Sequence, residues 1–548
     1  MKRARAPGPC WQRWLAIGVA ALVLFYSPPL WATILITSAA MGLIIGRPVI
    51  SARRRARGGS VDVGPVATVL GRALDDEPVA LTDRQLESHT VVVGASGSGK
   101  STTILRILTD EIRGGKGVVA IDLKGSPAFA GGLAQAAEQA GRQFRLWTPD
   151  GSAGWNPLAY GNATELKDKL ISTEWFSEIH YQRAAERYLQ SALQVLAAAR
   201  GPLQPPTLHD VVAAMEPSRL EGLLRAAPPK LANRVHEYLG SLTGDQLSAI
   251  RGLATRLAII TESHTGRYLR GVDTGAQRAD LPGPSGSVDL RAALRGEQVV
   301  VFSLNSSSYG KLAAQLGALV IQDVITVAGE RLRNPGLRHP AIVAVDEFSA
   351  LERGNHVLGL NARCREAGIG SLVSAQEPTD FERAARGLLN QILGSTAVKI
   401  IHRLDVPTSA EMVAKLAGTE AVWEHTHQIE HHPLFGDRHT GRSVAREVER
   451  FLVHPNVIKS LHTGRALIIT KVPDTRVRVV DVCPPASSPP DRSLGLSGSA
   501  PLQQSGPAHL TRGGRGRLAT REGPRRSSSD AAPAASPARS ETWRSAGR

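Results

Sequence analysis

The sequence predicts an α/β fold built on a parallel-rich sheet, interrupted by a long helical insertion. Three observations predict it. Apolar β-branched runs (Val91–Val93, Gly117–Asp122, Gln298–Leu304, Ala341–Asp346, Gly370–Gln376) alternate with helical stretches, the pattern of strands joined by crossover helices. Between about Ala163 and Leu269 such runs become scarce, and apolar residues recur at spacings of three and four, as at Leu166, Leu170, Leu189, Leu193 and Leu196. The first strand runs directly into a glycine-rich loop and a helix start.

That loop, Gly94-Ala-Ser-Gly-Ser-Gly-Lys100-Ser101, meets every fixed position of the spacing G-x-x-x-x-G-K-[ST]. Phosphate oxygens must approach backbone N–H groups closely, so glycines replace side chains that would stand in the way. The following helix, from Thr102, points its positive end at the same anion. Nucleotide binding is therefore assigned to Gly94, Ala95, Ser96, Gly97, Ser98, Gly99, Lys100, Ser101 and Thr102. Lys100 supplies a charge for the β- and γ-phosphates, and the Ser101 hydroxyl a ligand for Mg²⁺. A plain Gly/Ser turn would not explain the strand before it and the helix after it.

Composition bounds the rest. The chain has 548 residues and a formal net charge of +16, but the charge sits at its ends. Residues 1–58 carry nine Lys/Arg and no acids, and residues 484–548 carry ten Arg against four acids, which leaves +1 for residues 59–483. Overall basicity is thus no argument for a nucleic-acid groove on the folded middle. Three scattered cysteines (Cys10, Cys364, Cys483) exclude a disulfide framework and a cysteine-based zinc site.

Taken in order, residues 1–58 read as a membrane hairpin. Two apolar spans, Trp11–Tyr26 and Leu30–Ile45, flank Ser27-Pro28-Pro29, with aromatic residues near their ends and basic clusters outside both. The positive-inside rule places both ends in the cytoplasm. A cleaved signal peptide is the rival reading of the first span, against which the second apolar span and second basic cluster speak. Residues 59–162 hold a lead-in with short strands at Val61–Val63 and Pro78–Leu81, the phosphate loop, and a strand ending in Asp122-Leu-Lys124-Gly125-Ser126. A helix over Gly131–Ala140 and a strand over Gln143–Trp147 follow. Residues 163–270 form the helical insertion. Residues 271–483 resume the sheet, with helices over Gly310–Ala328 and Leu358–Ala367 and later strands at Val448–Val453, Arg465–Thr470 and Val477–Val482. Residues 484–548 lose apolar periodicity and read as a disordered basic tail.

Asp346 and Glu347 end a run of five apolar residues. A carboxylate at Asp346 can hold the Mg²⁺ shell, and Glu347 can activate the water that attacks the γ-phosphate. Gln376 ends the next strand, where an amide can hydrogen-bond both that water and the phosphate. Phosphoryl transfer also profits from an arginine of a neighbouring subunit. The candidates are Arg365, ranked first because it precedes a glycine turn into the Gln376 strand, then Arg403, then Arg363. His425, His427, His431, His432 and His439 surround Pro433, Gly436 and Gly441, so they read as a polar irregular loop in preference to a metal site.

These motifs, in this order, with Trp155-Asn156-Pro157-Leu158, Arg365-Glu-Ala-Gly, Arg403-Leu-Asp, Ser409-Ala-Glu and Lys415-Leu-Ala-Gly418, resemble those of type IV secretion coupling proteins of the TraD/TraG type, in the FtsK/HerA group of RecA-like motor ATPases. The resemblance spans about residues 10–483 and departs from many members at Ser126, where they carry an acid. It implies a RecA-like P-loop ATPase core and an all-alpha insertion that contacts substrate. It further implies an inner-membrane, multi-pass homo-hexamer with its ATPase domain in the cytoplasm, and a finger at Arg365 reaching the neighbouring subunit. The expected cofactors are ATP and Mg²⁺. The expected partners are DNA, single-stranded with its relaxase, and secretion-channel proteins. Export of protein effectors alone, an FtsK-like double-stranded DNA pump, and a non-catalytic nucleotide-binding scaffold are the rival readings.

Overall fold

The computed structural model describes residues 66–485, apart from 152, 202–203, 271–285, 352–354 and 433–435. The expected membrane hairpin, the Val61–Val63 strand and the tail beyond residue 485 lie outside the described residues.

An eleven-stranded sheet organises the molecule. Its strands in chain order are β1 (Val66–Ala73), β2 (Pro78–Thr82), β3 (Thr90–Val93), β4 (Gly117–Asp122), β5 (Gln143–Trp147), β6 (Gln298–Ser303), β7 (Ala341–Asp346), β8 (Ile369–Ala375), β9 (Val398–Ile401), β12 (Arg465–Thr470) and β13 (Arg476–Val482). Across the sheet they run β2-β1-β13-β12-β9-β3-β8-β7-β4-β6-β5. The seven strands from β9 to β5 are parallel, and the four on the other side pair antiparallel. The parallel strands are covered on both faces, which explains their near-continuous Val/Ile runs.

Side-chain alternation splits each strand between two cores. Val118 and Ala120 join Ile104, Ile107, Phe129 and Leu133, from the helices over Lys100–Arg113 and Pro127–Gln139, on one face. Val119 and Ile121 join the other, larger core, which includes the helix Ser306–Arg333 and the helices between β5 and β6. Among the described residues, six α-helices lie there between Ala163 and Glu262, and this stretch shares one continuous core with the sheet. Trp155 and Lys169 tie it in. The Trp155 indole N–H donates to Asp323 (3.2 Å), while the buried Lys169 ammonium bonds Asp323 (2.7 Å) and the Pro157 carbonyl (2.7 Å). Both partners of that ion pair are desolvated, so losing one would strand the other.

Among the described residues, one helix, Ser306–Arg333, is long and apolar enough to cross a membrane. Since 72% of its most apolar window is buried within the fold, it is a core helix. Gly310 (φ 43°, ψ −113°) breaks its first turn from the rest.

Three expectations change. The helix expected over Gly131–Ala140 begins at Pro127, because Ser126 caps it by accepting the Phe129 N–H (3.4 Å). β1 was not expected at all. The histidine segment is not an irregular loop, nor is Val448–Val453 a short strand. Instead β10 (Thr419–His432) and β11 (Gly436–Phe451) pair as a long antiparallel hairpin from Thr419–Phe451 to His432–Gly436, with a register irregularity between His427 and Ile429. A two-stranded ribbon satisfies its inner backbone groups across the ladder, so strands can form without an apolar stripe.

Candidate nucleotide-binding and catalytic site

The ends of β3, β4, β7 and β8 converge at the carboxyl edge of the sheet, where open α/β folds place their ligands. β3 delivers the phosphate loop, and the helix from Lys100 leaves it. Ser96 and Gly97 form the exposed apex, while Ser98 and Lys100 are buried.

The loop is held from behind as well as open in front. The Ala95 N–H donates to the Arg403 carbonyl (2.8 Å), the Gly464 N–H to the Ser98 carbonyl (3.0 Å), and the Thr463 hydroxyl to the Gly97 carbonyl (3.3 Å). His402 lies directly beneath. A Cβ on Gly94 would stand 2.5 Å from the His402 Cβ, so Gly94 is required by this floor as much as by a phosphate. The His402 ring donates from Nδ1 to the Arg465 carbonyl (3.2 Å), which leaves Nε2 to accept the Thr103 hydroxyl (3.0 Å). Burial lowers its pKa to about 4, and the Lys100 charge adds to the effect, so the ring stays neutral.

Lys100 bonds the Gly94 carbonyl and the Ala95 carbonyl (3.1 Å), folding over the loop it serves. Burial, then the nearby Lys124 charge, pull its pKa down. The Ser101 hydroxyl donates to Asp346 Oδ2 (3.2 Å). These are two hard oxygen donors at one point beside the phosphate loop, a donor set suited to Mg²⁺.

Glu347 sits in the left-handed region (φ 64°, ψ 57°), a conformation that a non-glycine residue holds only when its surroundings enforce it. Ser374 does so. Its hydroxyl bonds Asp346 Oδ1 and accepts the Glu347 N–H (3.1 Å). The Glu347 carboxylate is held by three neighbours. Oε1 accepts from Ser349 (2.7 Å) and from the Gln376 amide (3.0 Å), and Oε2 pairs with Lys124 (2.9 Å). Burial alone would raise its pKa, but these donors, Lys124 first, outweigh burial and hold it below the usual carboxylate range.

The fold thus brings Lys100, Ser101, Asp346, Glu347 and Gln376 together. Arg365 is elsewhere. It precedes β8, whereas Gln376 follows it, so the two stand about 20 Å apart at roughly 3.3 Å per residue. Arg365 is exposed. It does not join the cluster around Gln376. Arg403 lies beside its own phosphate loop, paired with Asp405 (3.1 Å), and Arg363 lines a cleft with Glu165 and Asp168. The sequence reading missed Ser374, His402 and the Thr463–Gly464 turn. It also gave Lys124 no role, although Lys124 stands in a quoted motif.

Residues 340–463 match the family model described as the TraM recognition site of TraD and TraG. The match spans Asp346, Glu347, Arg365, Gln376, Arg403 and the hairpin. No curated protein matches the sequence. Among solved structures, the fold is similar to that of the bacterial conjugative coupling protein TrwBΔN70 in its unbound form (TM-score 0.56, 14% identity, covering 78% of this chain and 90% of that one). It is similar also to the plasmid coupling protein TrwB in complex with ADP and Mg²⁺ (TM-score 0.54, 14% identity, 79% and 91%) and with a non-hydrolysable ATP analogue (TM-score 0.52, 14% identity, 79% and 93%). At that identity the likeness establishes the fold. Residues 340–463 thus carry the TraD/TraG recognition-site match on a fold similar to that of a conjugative coupling protein.

Proposed function

We propose that this chain is an ATP-hydrolysing motor that moves conjugative DNA, with its relaxase, toward a type IV secretion channel. In this reading it is a hexamer anchored in the bacterial inner membrane. The observation that carries the catalytic part is the convergence of Lys100, Ser101, Asp346, Glu347 and Gln376 at three neighbouring strand ends. Lys100 would bind the β- and γ-phosphates once released from the loop carbonyls. Ser101 and Asp346 would hold Mg²⁺, which when bound neutralises charge building on the transferred phosphoryl group. Glu347 would take the proton of the attacking water, and Gln376 would orient that water against the γ-phosphate. The TrwB structures with ADP and Mg²⁺ and with an ATP analogue support this use of the fold.

The DNA part rests on the family match and on the conjugative role printed for TrwB, not on charge. The same match points to a TraM-like protein as a partner of residues 340–463.

ATP turnover by the full chain in detergent or nanodiscs, with no DNA, single-stranded DNA and double-stranded DNA, tests both parts. The expected result is Mg²⁺-dependent hydrolysis stimulated most by single-stranded DNA. Hydrolysis indifferent to either DNA would overturn the DNA motor, and a flat baseline would overturn the enzyme.

A further inference from the structure

We infer that Lys124 is a positioning residue, a latch that parks Glu347 in an unproductive arrangement until the β6 end of the sheet is disturbed. The inference rests on the reading of Glu347 as the residue that activates water.

Three features carry it. The Glu347 carboxylate is held by Lys124, Ser349 and Gln376 together, so the base and the residue that should orient its water are bonded to each other. Activating a water requires that a carboxylate oxygen face it, and the Lys124 ammonium stands at Oε2, the oxygen that Gln376 and Ser349 leave. The ion pair is also built to be reversible. The Glu347 side chain is 9% exposed and that of Lys124 37%, so the lysine can leave for solvent.

The latch has a path to the surface. Gly125, next to Lys124, has φ 73° and abuts Asn305, so that a Cβ there would stand 2.7 Å from the Asn305 Cβ. Asn305 is itself left-handed (φ 46°) and opens the short turn that ends at the Gly310 break. Backbone bonds lock the layers together, from the Leu304 N–H to the Asp122 carbonyl (2.8 Å), from the Ser306 N–H to the Leu123 carbonyl (2.8 Å), and from the Leu123 N–H to the Asp346 carbonyl (3.3 Å). Ser307, Ser308 and Gly310 are exposed. Displacement of residues 305–310 would move Gly125 and draw Lys124 from Glu347.

A double-mutant cycle reads this directly. Lys124→Met should raise DNA-independent kcat about three- to fivefold, the factor by which a partly exposed ion pair biases a two-state equilibrium, and so compress the stimulation by any activator. Fluorescent ADP affinity, measured in parallel, should be nearly unchanged, which also certifies the fold. Lys124→Arg should restore the low basal rate. On a Glu347→Gln background Lys124→Met should change nothing. A basal kcat that falls or holds in Lys124→Met while ADP binding is intact, or an equal effect on the Glu347→Gln background, would overturn the latch. Because the measured quantity is the basal rate, a wild-type enzyme indifferent to DNA would sink the DNA motor and leave the latch standing.

Discussion

The two ends of β8 have different surroundings. At its carboxyl end, Gln376 reaches a Glu347 already bonded to Ser349 and Lys124, and every catalytic candidate of the subunit's own site lies within a few residues of that edge. At its amino end, Arg365 is exposed and has no ion pair among the described residues. Each end has a buried neutral histidine behind it. His402 underlies the phosphate loop. His89 lies beside the entry to β8, accepting the Ser371 N–H at Nδ1 (3.0 Å) and donating from Nε2 to the Asn361 carbonyl (2.9 Å). One end is a densely bonded cluster and the other an exposed charge beside a buried, hydrogen-bonded histidine. Under the proposed function, the first end would bind and hydrolyse the nucleotide, and Arg365 at the second would act on the site of a neighbouring subunit.

Substitutions at the two ends should therefore fail differently. The largest effect is expected from Arg365→Ala, which should lower kcat roughly a thousandfold, the lower end of what a finger arginine contributes, with ADP affinity in a binding assay untouched. Glu347→Gln should lower kcat about a hundredfold or more while ATP binding persists; turnover at the wild-type rate would remove Glu347 from the mechanism. Ser374→Ala should lower kcat about tenfold, since a buried bond that enforces the Glu347 backbone is lost. The smallest and most general effect is on stability. Burial lowers the pKa of both His89 and His402 from 6.5 to about 4. Between those values the unfolded chain takes up protons that the folded chain refuses, so stability should fall as pH drops from 6.5 toward 4. Each histidine accounts for about 3 kcal/mol over the full window. Urea unfolding at stepped pH would show the slope, and His402→Gln and His89→Gln should each reduce it. Only His402→Gln should also weaken ADP binding.

What the sequence shows of this arrangement follows from where the information lies along the chain. The phosphate loop is legible because one unbroken stretch, Gly94–Ser101, must satisfy every geometric demand. Asp346 and Glu347 are legible because they end a buried apolar strand in a chain that also carries an intact phosphate loop. Arg365 is legible as a candidate, but only the direction of β8 shows that it stands apart from Gln376. Lys124, Ser374 and Thr463 escape a linear reading since their partners lie 223, 28 and 366 residues away and meet only at the strand ends. The hairpin escapes for a different reason. Its polar alternation lacks an apolar period, and Pro433, Gly436 and Gly441 look like loop chemistry. β1 hides likewise, with Gly71 inside it, where a side chain would collide with the Asp481 carbonyl of β13.

Subunit mixing tests the shared site most directly. Arg365→Ala subunits keep an intact phosphate loop, whereas Lys100→Ala subunits keep Arg365, and neither alone should turn over ATP. Mixed oligomers should recover a substantial part of the wild-type rate, because an Arg365 from one subunit can complete the Lys100 site of the next. A mixture as inactive as its components, with co-assembly verified, would contradict an arginine acting between subunits.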